Sequence, residues 1–492
     1  MLPGLERFVR DPGAELVLGI VAPVGADLDP FIRILEDQLR HYQYAASIIR
    51  VSNLLRAIEG RQDEPRAASE LGRITHHMDV GNNLRARTSN EILALWAMAE
   101  INALRTDQER QPCTAWIIRS IKHPDEVRAL RAVYGPGFYL LGLFVPEDHR
   151  RWCLQQKQLL LPEIDALIER DQAEDFGHGQ HMRGAFELAD FFVRHAGDTR
   201  DTCAAVDRFL RLVFGKAVET PTPDENAMFL AYASSARSGD LSRQVGAVVW
   251  KDRIGLVATG CNDVPAAGGG LYVAGPADQR DHVRGLDANE QQKTAIALEV
   301  ARRVTSKLTE RGVIPPDGVV EDACKDTRLS DLTEFGRAVH AEMDALLTCA
   351  RTGVSTLGAT LYCTTFPCHN CAKHLVAAGF SRVVYVEPYP KSLAKELHGD
   401  AIDCLDGRTS ATGGKVAFEP FLGVGPRRFL DLFSMRIGDG FPLKRKLSGT
   451  AASWQKDTAD VRVPMLPTSY LDRENQAAHL VRSLLSPPEN QP

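Results

Sequence analysis

Apolar positions fall into short runs that alternate with stretches of helical spacing. Glu15-Leu16-Val17-Leu18-Gly19-Ile20-Val21 is one run; the turn Ala22-Pro23-Val24-Gly25 follows. Asp29 to Tyr42 then places Phe31, Ile32, Ile34, Leu35 and Leu39 on one helical face. Thr114–Ile118 and Phe138–Val145 read as further buried strands. Strand, glycine turn, helix and more buried strands predict an α/β domain with a parallel sheet between helices. The pattern fades over 195–224, where Pro221-Thr222-Pro223-Asp224 reads as a linker ending in a helix start.

The second half predicts a helix over Glu225–Ala236 and strands over Gln244–Trp250 and Gly255–Gly260, joined at Lys251-Asp252-Arg253. A long insert, 263–334, carries Gly268-Gly269-Gly270 and a helix near 290–309. A helix bearing His340, a strand at Thr360–Thr364, a helix from Cys368 and a strand at Arg382–Glu387 follow. Beyond 446 the chain turns Ser- and Pro-rich, with one helical stretch near 472–485, as expected of a surface or mobile tail. The expected division is 1–218, 219–445 and 446–492.

Composition narrows the function classes. A chain of 492 residues with 44% hydrophobic and 25% charged residues is ordinary for globular protein. Its net charge of -6 gives no general affinity for a nucleic-acid backbone. No apolar run approaches the ~18–20 residues that span a bilayer. The N-terminus lacks the basic-then-apolar layout of a secretory signal. Ten cysteines with one close pair read as reduced thiols. These features predict a cytoplasmic protein with no membrane partner.

The one close pair carries the chemistry. In Pro367-Cys368-His369-Asn370-Cys371 the thiols are three residues apart, so at a helix start both face one point. His340 supplies a nitrogen from another helix. Three protein ligands leave the fourth tetrahedral position to water, the layout of catalytic Zn2+. Glu342, two residues past the histidine, is placed to shuttle protons. A closed site would need a fourth ligand, for which His369 and His374 are nearest in sequence. The other cysteines are scattered without ligand spacing.

His340-Ala341-Glu342 with Pro367-Cys368-His369-Asn370-Cys371 resembles the signature of zinc nucleobase deaminases. Arg237-Ser238, Arg243-Gln244-Val245-Gly246-Ala247-Val248, Gly260-Cys261-Asn262 and Leu361-Tyr362-Cys363-Thr364-Thr365-Phe366 extend the resemblance to the deoxycytidylate deaminase branch of the cytidine deaminase superfamily. It implies a C-terminal α/β/α deaminase domain that hydrolyses the amino group from cytosine, with Asn262 on the sugar and the backbone near Thr365 and Phe366 on the base. Phosphates need cations, for which Arg237, Arg243, Arg280, Arg284 and Lys391 are candidates. Tyr389 is placed to stack on or fence the base. The plainer readings are a turn-forming Asn262, surface ion pairs for the cations and a core role for Tyr389.

The whole layout resembles the bacterial anti-phage dCTP/dCMP deaminases, through Ile118-Arg119-Ser120-Ile121-Lys122-His123-Pro124, Glu334-Phe335-Gly336-Arg337-Ala338-Val339, Glu387-Pro388-Tyr389-Pro390-Lys391-Ser392 and Phe418-Glu419-Pro420-Phe421. That implies free deoxycytidine nucleotides as substrates, depletion of dCTP, and a P-loop nucleotide-kinase-like domain ahead of the deaminase. Gly19, Pro23, Gly25, Ala26 and Asp27 sit where a phosphate loop would, but no Lys and no Ser/Thr follow Gly25. The expectation is a degenerate loop that regulates or assembles, taking a regulatory nucleotide or inhibitory RNA, within a homo-oligomer. Arg119, Lys122, Arg170 and Asp171 are its other family-like positions. Three alternatives stay open: a deaminase of RNA or single-stranded DNA, a phosphoryl-transfer protein with a vestigial deaminase, and a nucleotide sensor.

Overall fold

The computed structural model describes residues 14–58, 69–107, 113–172, 181–314, 316, 318–325, 327, 332, 334–388, 392–405, 411–447 and 450–465. Tyr389, Lys391 and the helical stretch expected near 472–485 lie outside the described residues. The chain divides into two units, Met1–Glu225 with Leu422–Pro492, and Asn226–Phe421. Both are α/β.

In the first unit β1 (Leu16–Val21), β2 (Ala45–Arg50), β3 (Thr114–Arg119), β4 (Phe138–Phe144) and β5 (Phe191–Arg194) run parallel in the order β5-β4-β1-β3-β2. β1 is buried at all six positions, as the central strand of a parallel sheet covered on both faces must be. Helix Leu28–Arg40 begins at Asp27, whose carboxylate accepts from the Asp29 N–H. β2 and the helices Val51–Ile58, Glu70–Arg87 and Ile92–Asp107 are not among the elements expected from the sequence. Over 195–224, where the pattern fades, the chain forms the helix Thr199–Val213, burying Val206, Phe209 and Leu210.

The second unit holds β6 (Gly246–Lys251), β7 (Gly255–Cys261), β8 (Thr360–Thr365), β9 (Arg382–Glu387), β10 (Ile402–Cys404) and β11 (Val416–Pro420), in the order β10-β11-β9-β8-β6-β7. β6 is antiparallel to both neighbours, and β8, β9, β11 and β10 are parallel. Helices Ala341–Thr352 and His369–Ala377 share one apolar cluster with this sheet, through Ala341, Ala345, Cys349, Ala372 and Leu375 against Ala247, Val249, Ala258, Leu361 and Cys363. The insert contributes the 23-residue helix Ala288–Glu310.

The division differs from the expected boundaries after residue 421. β12 (Gly423–Val424) pairs antiparallel with β5 and closes the first sheet. Arg428, 5% exposed, donates to the carbonyls of Pro136 and Phe138 at 2.8 and 2.6 Å and pairs with Asp190 at 3.3 Å. The described part of the expected tail packs on the same unit: the Trp454 indole donates to the Phe214 carbonyl at 3.0 Å, and Val461 and Val463 are buried. The apolar side chains buried here, Val424, Phe429, Leu432, Phe433, Phe441 and Leu443 among them, come from very short elements and loops, so no sustained periodicity marks them.

Gly260 lets β7 approach the helix that follows His340. A Cβ there would stand 2.2 Å from the Ala341 carbonyl oxygen and 2.5 Å from the Ala345 nitrogen. Gly260→Ala should therefore push that helix start outward at the ~1–3 kcal/mol typical of overpacking. We expect a lower melting temperature and less bound zinc per chain; unchanged values for both would contradict this packing.

Candidate metal centre and active site

Two helix starts converge at one end of the second sheet. His340 is the residue before helix Ala341–Thr352, in extended backbone, rather than a residue within it. The preceding segment is fixed by the bridge between Asp263 and Val339, whose Val339 N–H donates to the Asp263 carbonyl at 2.9 Å. Cys368 likewise precedes helix His369–Ala377 and accepts the Cys371 N–H at 3.4 Å. His340 Nδ1 lies 3.4 Å from the Sγ of Cys368 and 3.4 Å from the Sγ of Cys371. The three donor atoms lie within 4.8 Å of one another, and they form the one such His/Cys/Asp/Glu group among the described residues. His369 and His374 are not part of it.

Zinc fits this donor set. Two thiolates and one imidazole at tetrahedral spacing are its preferred ligands, and three protein donors leave a position open. The surroundings ready one of them, Cys368, while His340 and Cys371 each give up a proton when the metal binds. The Cys368 thiol is lowered to about 3, first by its hydrogen bond from Cys371 and then by that from His340. The same Cys368 contact raises the His340 imidazole to about 9. Cys371, 1% exposed, is raised by its partnership with the Cys368 thiolate and by burial. Both cysteines stand at the positive end of a helix, which favours thiolates.

Glu342, 4% exposed, sits in the first turn after His340, and burial raises its carboxyl above the usual range. It lines a cavity of about 220 Å³ together with His340 and Cys368. Among the expected substrate residues, Asn262, Arg243, Thr365 and Phe366 also line it. Asn262, 7% exposed, clasps the neighbouring segment: its Oδ1 accepts the Val245 N–H at 2.6 Å and its Nδ2 donates to the Arg243 carbonyl at 2.8 Å. Arg243 donates to Thr365 Oγ1 at 2.8 Å and to Glu387 at 3.0 Å, and Thr365 donates to the same carboxylate at 2.7 Å. Phe366 packs edge-on against Tyr385.

The other cations are placed elsewhere. Arg237 is exposed and reaches Thr259. Arg280 is buried in ion pairs with Asp278 and Asp263, and Arg284 is exposed beside Gln279. The cavity instead gains Asp281, Asp287 and Asn289 from the insert, and Arg337 three residues before His340. Arg337 pairs with Asp281 at 2.5 Å. The run Glu334–Val339 flanking His340 was the sequence signal that pointed there.

A three-ligand zinc site beside a buried carboxyl, at the end of a mixed sheet, defines a zinc-dependent hydrolase of the deaminase type. The family model and the sequence relatives agree. The family model described as "Cytidine and deoxycytidylate deaminase zinc-binding region" matches residues 221–387. The deoxycytidylate deaminase of Enterobacteria phage T2 is 32% identical over 163 residues, 33% of this chain and 79% of that protein. That of Mycobacterium phage D29 is 33% identical over 165 residues, 34% of this chain and 94% of that protein. The crystal structure of the dCMP deaminase from cyanophage S-TIM5 in apo form aligns over 41% of this chain and 100% of its own, at 18% identity and a TM-score of 0.23. The chain belongs to the cytidine and deoxycytidylate deaminase family, and is a zinc-dependent deaminase through its second unit.

Removing Cys371 leaves two ligands and an unpaired Cys368 thiolate. Cys371→Ala is expected to lower zinc from about one per chain to a small fraction, with activity falling in step, as metal analysis of the purified variant would show. Full zinc in that variant would contradict the ligand set.

Proposed function

We propose that this site deaminates free deoxycytidine nucleotides, with Glu342 as the proton carrier. The observation that carries the reading is the buried Glu342 carboxyl in the same cavity as His340 and Cys368. When bound, zinc supplies Lewis acidity, which brings the pKa of a coordinated water to about 7. Glu342 takes the proton of the attacking water and gives it to N3 of cytosine as oxygen adds to C4. It then takes the proton of the new C4 hydroxyl and delivers it to the amino group as the C4–N bond breaks, so that ammonia leaves and C4 keeps its oxygen as the uracil carbonyl. Phe366 and the backbone beside it support the base, and Asn262 holds the Arg243–Val245 segment against the sugar side. Arg243, joined by Arg337, faces the phosphate; Tyr389 and Lys391 are the other expected substrate residues, whereas Arg237, exposed beside Thr259, is not among the residues that line the cavity.

Charge favours dCMP over dCTP. Asp240, Asp281, Asp287 and Glu342 share the cavity wall with Arg243 and Arg337. An acidic excess accommodates a monophosphate more readily than a triphosphate. The phage relatives, named for deoxycytidylate, support the same order. The resemblance of the whole layout supports dCTP as a further substrate and depletion of that pool as antiviral defence. Such an activity has to be restrained in its host. Residues 1–218 are assigned to regulation or assembly, through a nucleotide, an inhibitory RNA or a homo-oligomer, and to no phosphoryl transfer, because Lys and Ser/Thr are missing after Gly25.

The test is incubation of the full protein with dCMP, dCDP, dCTP, deoxycytidine and cytidine, followed by chromatography for uracil products. dCMP is expected to be converted fastest, and unphosphorylated cytidine converted with no turnover of any nucleotide would overturn the substrate class. Glu342→Gln should retain zinc and lose at least ~10²–10⁴-fold in turnover, the usual contribution of general acid–base help. A variant within tenfold of wild type would sink the role of Glu342.

A further inference from the structure

The loop after β1 in the first unit holds an anion already. Val24 N–H donates to Asp171 Oδ2 at 2.5 Å. The Lys122 ammonium donates to Asp171 Oδ1 at 2.7 Å and to the Ala22 carbonyl at 2.9 Å. Asp171, on helix Leu161–Gln172, is 0% exposed. Both oxygens of a fully buried carboxylate are thus held by a loop amide and a lysine. Those are the donor types with which loops of this kind hold phosphate. The lysine missing after Gly25 is supplied by the loop that follows β3.

The position lies where the sheet's topology invites a ligand. β1 lies between β3 and β4, and the chain crosses over it in passing from β3 to β4, so the carboxyl ends of β1 and β3 border the switch point of an open parallel sheet. Two acidic groups beside the loop are committed. Asp27 caps its own helix and accepts at its carbonyl from His195 Nε2 at 2.9 Å; Asp29 pairs with Arg119. Gly25, at φ +82°, packs so that a Cβ would stand 3.0 Å from the Arg150 carbonyl oxygen.

We propose that Asp171 is an internal stand-in for a small oxyanion, so that the loop Ala22–Asp27 is an anion site filled by the protein's own carboxylate and closed to a nucleotide's phosphates. The inference goes beyond the deaminase reading and stands whether or not that reading holds. It requires that removing the carboxylate vacate a position that phosphate can take.

The experiment follows the melting temperature of the full-length protein, Lys122→Met, Asp171→Ala, and Asp171→Ala with Lys122→Met, against inorganic phosphate and against ATP at constant ionic strength. The response assigned to this loop is the part that Lys122→Met abolishes, which separates it from phosphate bound in the deaminase cavity. Asp171→Ala is expected to melt several degrees below wild type and to recover saturably with millimolar phosphate. Wild type should show no Lys122-dependent response to phosphate or ATP. An Asp171→Ala protein as stable as wild type, or one that phosphate fails to restore, would overturn the proposal; so would Lys122-dependent binding of ATP by wild type. Should Asp171→Ala not fold, Asp171→Asn keeps the shape and removes only the charge. It is expected to melt below wild type, and equal stability would count against the proposal, as would the wild-type ATP result.

Discussion

The second unit is organised by a constraint on charge. Two sulfur atoms, which repel one another when both are ionised and dry, are held with a ring nitrogen 3.4 Å from each. The apolar packing of two helices on one sheet face forces this meeting. Ala341, Ala345, Ala372 and Leu375 bury themselves on β6, β7 and β8, and the residues just before those helices are brought together as a consequence. A cation relieves the repulsion, so metal binding and the local fold reinforce one another. Gly260 is part of the same arrangement, since only its missing Cβ permits the helix after His340 to lie so close.

The cavity follows from the same geometry. β6 and β7 are joined by a tight turn, and the segment entering β6 is clasped by both ends of the Asn262 amide. That fixes Arg243, whose guanidinium is then tied to Thr365 and Glu387 across the ends of β8 and β9. One side of the cavity is thus rigid framework. The other comes from the insert, through Asp281, Asp287 and Asn289.

The zinc ligands were legible because a metal imposes spacing: His340, Glu342, Cys368 and Cys371 announce themselves within two short segments. The buried strands were legible from continuous apolar runs such as β1 and β4. What periodicity could not show was pairing at long range. Arg337 and Asp281 meet across 56 residues, and Val24 and Asp171 across 147. Arg428 returns to Asp190 from 238 residues away, which is why the stretch from 422 to 445 read as part of the second domain. Arg237 and Arg280 were sensible phosphate candidates by residue type, yet one is exposed beside Thr259 and the other is spent on two carboxylates. Local sequence gives the identity of a charged group, and the fold decides which partner it finds.

The central claim is an open, three-ligand zinc site in this chain, and the coordination shell tests it most directly. X-ray absorption at the zinc edge of the full-length protein should show two sulfur neighbours at about 2.3 Å and two lighter N/O neighbours at about 2.0 Å, one from His340 and one from solvent. A shell of three or four sulfurs, or a second imidazole in place of solvent, would show a closed structural site and contradict the account.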